Sequence, residues 1–356
     1  MSDLHHEIHF EEYIISKLKA QGWLHGVSDA YNKEHALYPE DLVTWIQQTQ
    51  KTKWDKLVAM NGDKATGVLM DRLSQALESK GTIHTLRRGF SIAGCGTIDL
   101  SEAAPEDLRN EQVVHRYKSN RLRVVQQLKY HPAREFAIDL VFFINGLAVA
   151  TVELKTDFTQ SVEAAMDQYK LDRLPLDPKT KRKEPLLTFQ RGAVVHFAMS
   201  DSEIQMTTKL DGQNTFFLPF NKGRDGHAGN PARADGEYPV AYFWEEICQP
   251  DAWLRIFHSF VYTEKKEVVD LKGNWSTHQR LMFPRFHQWE AVNKMIADAK
   301  RNGPGMAYLC EHSAGSGKTS TIAWTAHDLV KLRNDDGKAI FDAVIIVTDR
   351  TALDGQ

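Results

Sequence analysis

The sequence predicts an α/β protein in two parts: a mixed sheet flanked by helices, then the opening of a phosphate-loop domain. Residues 136–155 read FAIDLVFFINGLAVATVELK, two apolar runs around Asn145-Gly146, and that dipeptide between such runs is the strongest short-range hairpin signal. Residues 7–20 and 39–60 carry apolar side chains at helical spacing. From 306 to 350 the pattern runs strand, glycine-rich loop, helix, strand.

A chain of 356 residues allows two or three domains at ~150 residues each. Its 42% apolar and 26% charged residues exclude disordered and fibrous classes. Lys and Arg number 44 against 47 acids, a net −3, which argues against a uniformly basic nucleic-acid binder but leaves local basic patches open. Cys95, Cys248 and Cys310 lie far apart without a CxxC pair, so neither a disulfide framework nor a thiolate zinc site is expected. The start, MSDLHHEIHFEE, lacks the basic and apolar regions of a signal peptide, and no apolar run reaches the ~20 residues of a membrane span. The expectation is a soluble cytoplasmic protein with no membrane contact.

In the first helix Phe10, Ile14 and Leu18 fall four apart, with Ile8 and Ile15 beside them. In the second, Leu42, Trp45 and Ile46 share a side that Trp54, Leu57 and Val58 continue. Between 109 and 135, Arg109, Arg116, Lys118, Arg121, Arg123, Lys129 and Arg134 stand against Glu111 and Glu135, a net of +5. Lys179, Lys181, Arg182 and Lys183 form a second basic stretch at 175–185. Each can be a solvated surface or a phosphate-backbone contact, with a solvated loop favoured for the second. Residues 221–239 hold four glycines and two prolines and read as a long loop. A helical pattern resumes in WEEICQPDAWLRIFHSFVY, followed by a polar interval. We therefore expect one domain at 1–263, a linker at 264–281 and a second, partial domain at 282–356.

The hairpin strands carry three charges, Asp139, Glu153 and Lys155. Glu153 and Lys155 are two apart and share a face of a strand. A symmetric two-residue Asn-Gly loop pairs Asp139 with Val152 and sends Asp139 and Glu153 to opposite faces. A three-residue loop with left-handed Gly146, or a bulge, reverses that parity, so an odd loop or a bulge is expected. Two carboxylates on neighbouring strands can hold a hard cation such as Mg²⁺ through oxygen. Such an ion polarises a phosphodiester and acidifies water, while the neighbouring ammonium orients that water and offsets developing charge. A solvated hairpin with a surface Glu–Lys pair is the plainer alternative.

The pattern D-x13-E-x-K on a hairpin resembles the PD-(D/E)xK nuclease core. The wider text NRLRVVQQLKYHPAREFAIDLVFFINGLAVATVELK is similar to the N-terminal nuclease domain of the type I restriction endonuclease R subunit. The resemblance implies metal binding by Asp139 and Glu153 and a water-orienting or transition-state role for Lys155. SVEAAMDQYKLDR resembles the family helix whose glutamine supports the site, here Gln168. RecB-like nucleases carry Q-x3-Y there; this chain has Asp172 at the tyrosine position and Tyr169 beside the glutamine, so only Gln168 carries over. Glu7, in the first helix, matches an acidic position that the resemblance implies as a further, lower-ranked candidate for the metal. The resemblance implies cleavage of double-stranded DNA, with methyltransferase (M) and specificity (S) subunits as partners and the S subunit reading the sequence.

Residues 306–319 read MAYLCEHSAGSGKT and lead into STIAWTAHDLVKL, a helical pattern with Ile322, Ala326 and Leu329 on one face. This resembles a Walker A loop, in which backbone N–H groups cradle phosphates. The candidate ATP contacts are Ser313, Ala314, Gly315, Ser316 and Gly317, with Lys318 on the terminal phosphates and Thr319 on Mg²⁺. His312 stands where the strict pattern has glycine. Upstream, FPRFHQWEAV resembles the Q motif of superfamily 2 helicases, with Gln288 reading the adenine edge and Phe283 or Phe286 near the base. VTDRTALDGQ resembles the next helicase motif.

Up to Gln356 no DEAD/DEAH-type acidic motif or arginine finger is read. The expectation is thus a PD-(D/E)xK nuclease followed by an incomplete RecA-like P-loop domain, with weak ATP binding and no hydrolysis by this chain alone. The alternative expectation is a non-catalytic truncated fragment that binds DNA or partner subunits without turnover.

Overall fold

A computed structural model describes residues 3–105, 108–157, 160–223, 228–269 and 275–347. The chain divides into two units, Met1–Ala104 with Glu111–Phe283 and Pro105–Asn110 with Pro284–Gln356. None of the helices in the described residues is long and apolar enough to cross a membrane.

The first unit opens with α1 (Asp3–Ala20), which buries its periodic face of Phe10, Ile14, Ile15 and Leu18. After β1 (Leu24–Gly26), the pattern over 39–60 forms two helices rather than one: α2 (Pro39–Thr49) and α3 (Lys51–Asn61). The break is at Gln50, whose backbone (φ −145°, ψ 41°) leaves helical space and whose side chain is spent on Asp99: its Nε2 donates to Asp99 O at 2.8 Å and its Oε1 accepts from Asp99 N at 2.9 Å. Helices α4 (Ala65–Lys80) and α5 (Thr82–Arg88) precede a small hairpin, β2 (Phe90–Ile92) and β3 (Gly96–Ile98). Next come α6 (Glu111–Lys118), β4 (Leu122–Lys129), β5 (Ala137–Ile144), β6 (Leu147–Leu154), α7 (Val162–Leu171), β7 (Val195–Met199), β8 (Ile204–Thr207) and β9 (Leu218–Pro219). A helical stretch then places α8 (Pro250–Arg255) between π-helical turns at Phe243–Ile247 and Ile256–Phe260.

Seven strands form one sheet in the order β1-β4-β5-β6-β7-β8-β9. β1 runs parallel to β4 and β6 parallel to β7, and the other neighbours are antiparallel, so the sheet is mixed. The parallel β6–β7 pair requires a crossover, which α7 supplies. Every residue of β6 is buried, which is why that strand reads as a nearly continuous apolar run instead of alternating. The plainer alternative of a solvated hairpin is thereby excluded. Behind the sheet Phe142, Phe197, Phe243, Trp253, Phe257 and Phe283 make successive ring contacts, with centroids 5.0–6.2 Å apart.

The turn joining β5 to β6 has two residues, Asn145 (φ 49°) and Gly146 (φ 87°), both left-handed as a type I′ turn requires. Asn145 is fully buried: its Oδ1 accepts from Arg121 N at 2.6 Å, and its Nδ2 donates to Leu100 O and Asn120 Oδ1, both at 2.8 Å. A Cβ on Gly146 would lie 2.5 Å from Tyr38 O.

The stretch 264–281, expected as a linker, is instead an antiparallel pair, β10 (Tyr262–Val269) and β11 (Trp275–Met282), in register from Tyr262↔Met282 to Val269↔Trp275. The polar composition that suggested a linker is equally that of a two-stranded ribbon exposed along most of its length. Most of the basic stretch at 109–135 is neutralised internally. Arg121 and Arg123 share Asp41 (2.7 and 2.6 Å), Arg116 meets Glu102 (2.7 Å), Lys129 meets Glu135 (2.6 Å) and Arg134 meets Asp177 (2.9 Å).

The second unit contains α9 (Phe286–Asn302) and α10 (Lys318–Lys331). The strands expected at 306–310 and 341–350 are not formed over 306–310 or 341–347, and 348–350 lie outside the described residues with most of VTDRTALDGQ. A strand exists only against a ladder partner, and here Leu309, Ile345 and Val347 are exposed.

Candidate active site

The expected change of parity between β5 and β6 comes from a bulge. Ile144↔Leu147 and Phe143↔Ala148 pair symmetrically about the turn, but Phe142 then faces Ala150 and Leu140 faces Val152, leaving Val149 as the extra residue. Continued one step, this register sets Asp139 across from Glu153, so the two carboxylates share a face.

Asp139 is anchored from two sides. Its Oδ2 accepts from Leu154 N at 2.7 Å, tying it to the strand that bears Glu153. Its Oδ1 accepts from Gln127 Nε2 at 3.0 Å. Gln127 lies on β4 with φ 48°, a left-handed backbone rare for any residue with a Cβ. The same amide nitrogen donates to the Glu11 carboxylate at 3.1 and 3.3 Å. Glu11 is buried, and burial, reinforced by the neighbouring charge of Asp139 against the Gln127 hydrogen bond, raises its pKa from 4.5 to about 7.

Glu153 is fully buried, which together with Asp139 pushes its carboxyl well above the ordinary range. Arg173, just past α7, opposes that shift: its Nε meets Glu153 Oε1 at 2.5 Å while its other arm donates to Ala137 O at 2.7 Å. Glu153 Oε2 is buried and has no hydrogen-bond partner among the described residues. Lys155 Nζ donates to Leu154 O at 2.9 Å and to Glu7 Oε1 at 2.7 Å. Glu7 and Glu11 are one helical turn apart on α1, so that helix delivers both to the cluster.

The structure thus brings Asp139, Glu153, Lys155 and Glu7 together. Gln168 lies on α7 with a buried Oε1 that lacks a partner, and among the described residues it makes no hydrogen bond to Asp139, Glu153 or Lys155. Its neighbour Tyr169 pins α7 to the sheet, its hydroxyl 2.7 Å from Thr151 Oγ1, which lies 2.8 Å from His196 Nδ1. Glu11, Gln127 and Arg173 were missed by sequence reasoning. The signal for Arg173 lay in the segment SVEAAMDQYKLDR, five residues past Gln168, and that for Glu11 lay four residues past Glu7.

Among the described residues no three His, Cys, Asp or Glu side chains converge as a ready-made metal cage. A hard cation still fits the donor chemistry. Mg²⁺ commonly takes one or two carboxylates and keeps several waters, and the partnerless Glu153 Oε2 beside Asp139 offers such oxygen.

In the second unit the loop before α10 turns through Gly315 (φ 74°) and Gly317 (φ 84°). Lys318 Nζ folds back onto His312 O (2.7 Å) and Ser313 O (3.0 Å). Gln288, expected at an adenine edge, is buried, donating from Nε2 to Gly317 O at 2.9 Å and accepting from Arg285 N at 2.9 Å. A Cβ on Gly317 would meet Gln288 Nε2 at 2.4 Å and displace that amide, and the left-handed backbone (φ 84°) favours glycine there. Ser313, Ala314 and Gly315 are exposed, Thr319 is half-buried at the start of α10, and the buried Ser316 Oγ has no hydrogen-bond partner among the described residues. Phe283 is committed to the first unit's aromatic cluster, and Phe286 is fully buried, so neither ring is open to a base.

The family model described as type I restriction enzyme R protein N terminus matches residues 7–215, from Glu7 through the hairpin, α7 and β8. No curated protein matches the chain. The match covers more than half of the sequence and contains Asp139, Glu153, Lys155 and the Glu7, Glu11, Gln127 and Arg173 grouped with them: the chain belongs to the family of type I restriction enzyme R protein N-terminal regions.

Proposed function

We propose that the first unit is a Mg²⁺-dependent endonuclease acting on double-stranded DNA as part of a type I restriction R subunit, with M and S subunits as partners. The observation that carries this reading is the bulge at Val149, which sets Asp139 and Glu153 on one face with Lys155 two residues on. Asp139 and Glu153 would hold the cation. When bound, it polarises the scissile phosphodiester and acidifies water. Leu154 N and Gln127 fix the orientation of Asp139. Arg173 works against the burial that raises the Glu153 carboxyl, and Oε2 is left as the open donor. Lys155, held by Leu154 O and Glu7, is placed to orient water and offset charge developing on phosphate.

In the second unit, the loop 313–317 with Lys318 and Thr319 supports a reading as the phosphate site for ATP, its Thr319 hydroxyl on Mg²⁺. There Gln288 acts by bracing the loop at Gly317. A second reading, a fragment that binds DNA or partner subunits without turnover, draws on the clasped state of the cluster: Glu7 holds Lys155 and Arg173 holds Glu153.

Nicking of a circular plasmid with Mg²⁺ or Mn²⁺, by the parent and by Lys155→Ala, separates these readings. Cleavage by the parent with a loss of roughly 10²–10³-fold in the variant is expected. Equal cleavage by both overturns the site assignment, and no cleavage by either favours the non-catalytic reading.

A further inference from the structure

At the far end of β7 from the carboxylates lies a polar groove of about 530 Å³, walled by the C-terminus of α4, α5, the turn at 183–194 and the β10–β11 ribbon. Lys80, His84, Arg88, Lys183 and Lys265 line it and are exposed, and the acid among its lining residues is Glu78. Lys80, Arg88 and Lys265 have no ion-pair partner among the described residues, whereas Lys183 stands 3.9 Å from Glu78. This contrasts with the basic stretch at 109–135, whose charges are mostly spent on internal carboxylates. Half-buried Arg87, beside Arg88, has its pKa lowered to about 10 by burial and by that like charge.

The groove is rigid. Thr82 N donates to Gln190 O at 2.6 Å, and Thr82 Oγ1 donates to Arg191 O and Gly192 O at 2.7 and 2.8 Å. Arg87 donates to Phe257 O and Val261 O, fixing α5 to the base of the ribbon, and Gln190 bonds Gln279 of β11 at 2.6 Å. Exposed cations over a mainly polar lining suit a chain of phosphates rather than a packed apolar ligand.

We propose that this groove binds the phosphate backbone of double-stranded DNA as a second contact, remote from the carboxylate cluster. Val194 lines the groove, and Met199, five residues along β7, accepts from Lys155 N at 2.9 Å. At ~3.3 Å per residue the separation is roughly 17 Å, or about five base pairs of duplex at ~3.4 Å each. The groove therefore sets the register of the duplex on the cutting face and supplies affinity without reading sequence. This role rests on the nuclease reading but has a separate test.

Binding of a fluorescent 30-base-pair duplex to the full chain is followed by anisotropy in EDTA over a salt series. The variants are Lys80→Ala/Arg88→Ala/Lys265→Ala and, as a charge-matched control, Lys51→Ala/Lys56→Ala/Lys64→Ala. Each lost phosphate contact removes about 0.9 from the slope of log K against log salt. The groove variant should lose about 2–3 from that slope and at least 10-fold in affinity at low salt, with the control unchanged. Unchanged slope in the groove variant, an equal fall in the control, or no duplex binding by the parent overturns the proposal. A preference for inorganic triphosphate over duplex as competitor also overturns it, assigning the groove to a small anion. Because EDTA removes the cation, none of these results depends on cleavage, and the Lys155→Ala comparison judges the nuclease reading independently.

Discussion

Replacing Glu11 with Gln should change how stability depends on pH. In the native chain burial holds this carboxyl at about 7, against 4.5 when it is solvated. Between those values the folded protein keeps a proton that the unfolded chain has released, so stability present below pH 4.5 is lost as pH rises to about 7 and is level beyond. At ~1.4 kcal/mol per pH unit, a rise from 4.5 to about 7 comes to about 3 kcal/mol. Gln fills the same volume, accepts from Gln127 and does not ionise. The buried carboxyls of Glu153 and Glu184 remain in both chains and cancel in the difference. Urea unfolding followed by tryptophan fluorescence at pH 4, 5, 6, 7 and 8 gives the stability of each protein. The parent's stability relative to Glu11→Gln should fall by about 3 kcal/mol from pH 4 to pH 8, with most of the change between 4.5 and 7. A difference constant to within ~0.5 kcal/mol over that range would refute the claim that folding buries this carboxyl against its ionisation.

Two further outcomes follow from buried charge. Arg173→Ala strips the guanidinium from a fully buried carboxylate and should cost ~3–5 kcal/mol in urea unfolding at pH 7, with Arg173→Met/Glu153→Gln losing less than half of that; a single-variant cost below ~1 kcal/mol would mean the ion pair does not hold Glu153. Burial lowers the His196 imidazole to about 3, so its contribution to stability is complete above pH 6.5 and lost as pH falls toward 3. Its ring-proton resonance should therefore stay constant from pH 8 to pH 5, and a midpoint near 6.5 would show the ring to be solvated.

The hairpin, its Asn-Gly turn and the need for a bulge were legible in the sequence because strand parity is a strict count: Asp139 and Glu153 meet only if one residue is added. The first helix was legible because Phe10, Ile14 and Leu18 repeat at its period. Arg173 and Glu11 were not legible, because what makes them part of the cluster is burial against residues 20 and 116 positions away, which no local pattern encodes. The charges at 109–135 misled for the same reason, since Asp41 lies some 80 residues from the arginines it neutralises. The ribbon at 262–282 was hidden because exposed strands on both faces look like a linker. The apolar runs at 306–310 and 341–347 have strand-like composition, but composition alone does not supply a ladder.

Placing Glu7 and Glu11 on the first helix also sets an order of assembly. The contacts that close the cluster span 148 residues to Lys155 and 116 to Gln127, and β1 is paired with β4 from Leu24 to Arg123. Such long-range pairings are the slow part of folding, because the loop they close is costly until everything between has settled. A growing chain carries α1 from the start, yet β7 and β8 arrive only once about 200 residues have been made, roughly 10–40 s into synthesis. Until Gln127 and Lys155 have been made, the acids of α1 lack the glutamine and the lysine they meet in the folded chain. The last side chain of the cluster to arrive is Arg173, just past α7, so the site draws on chain made over the whole of the first 173 positions.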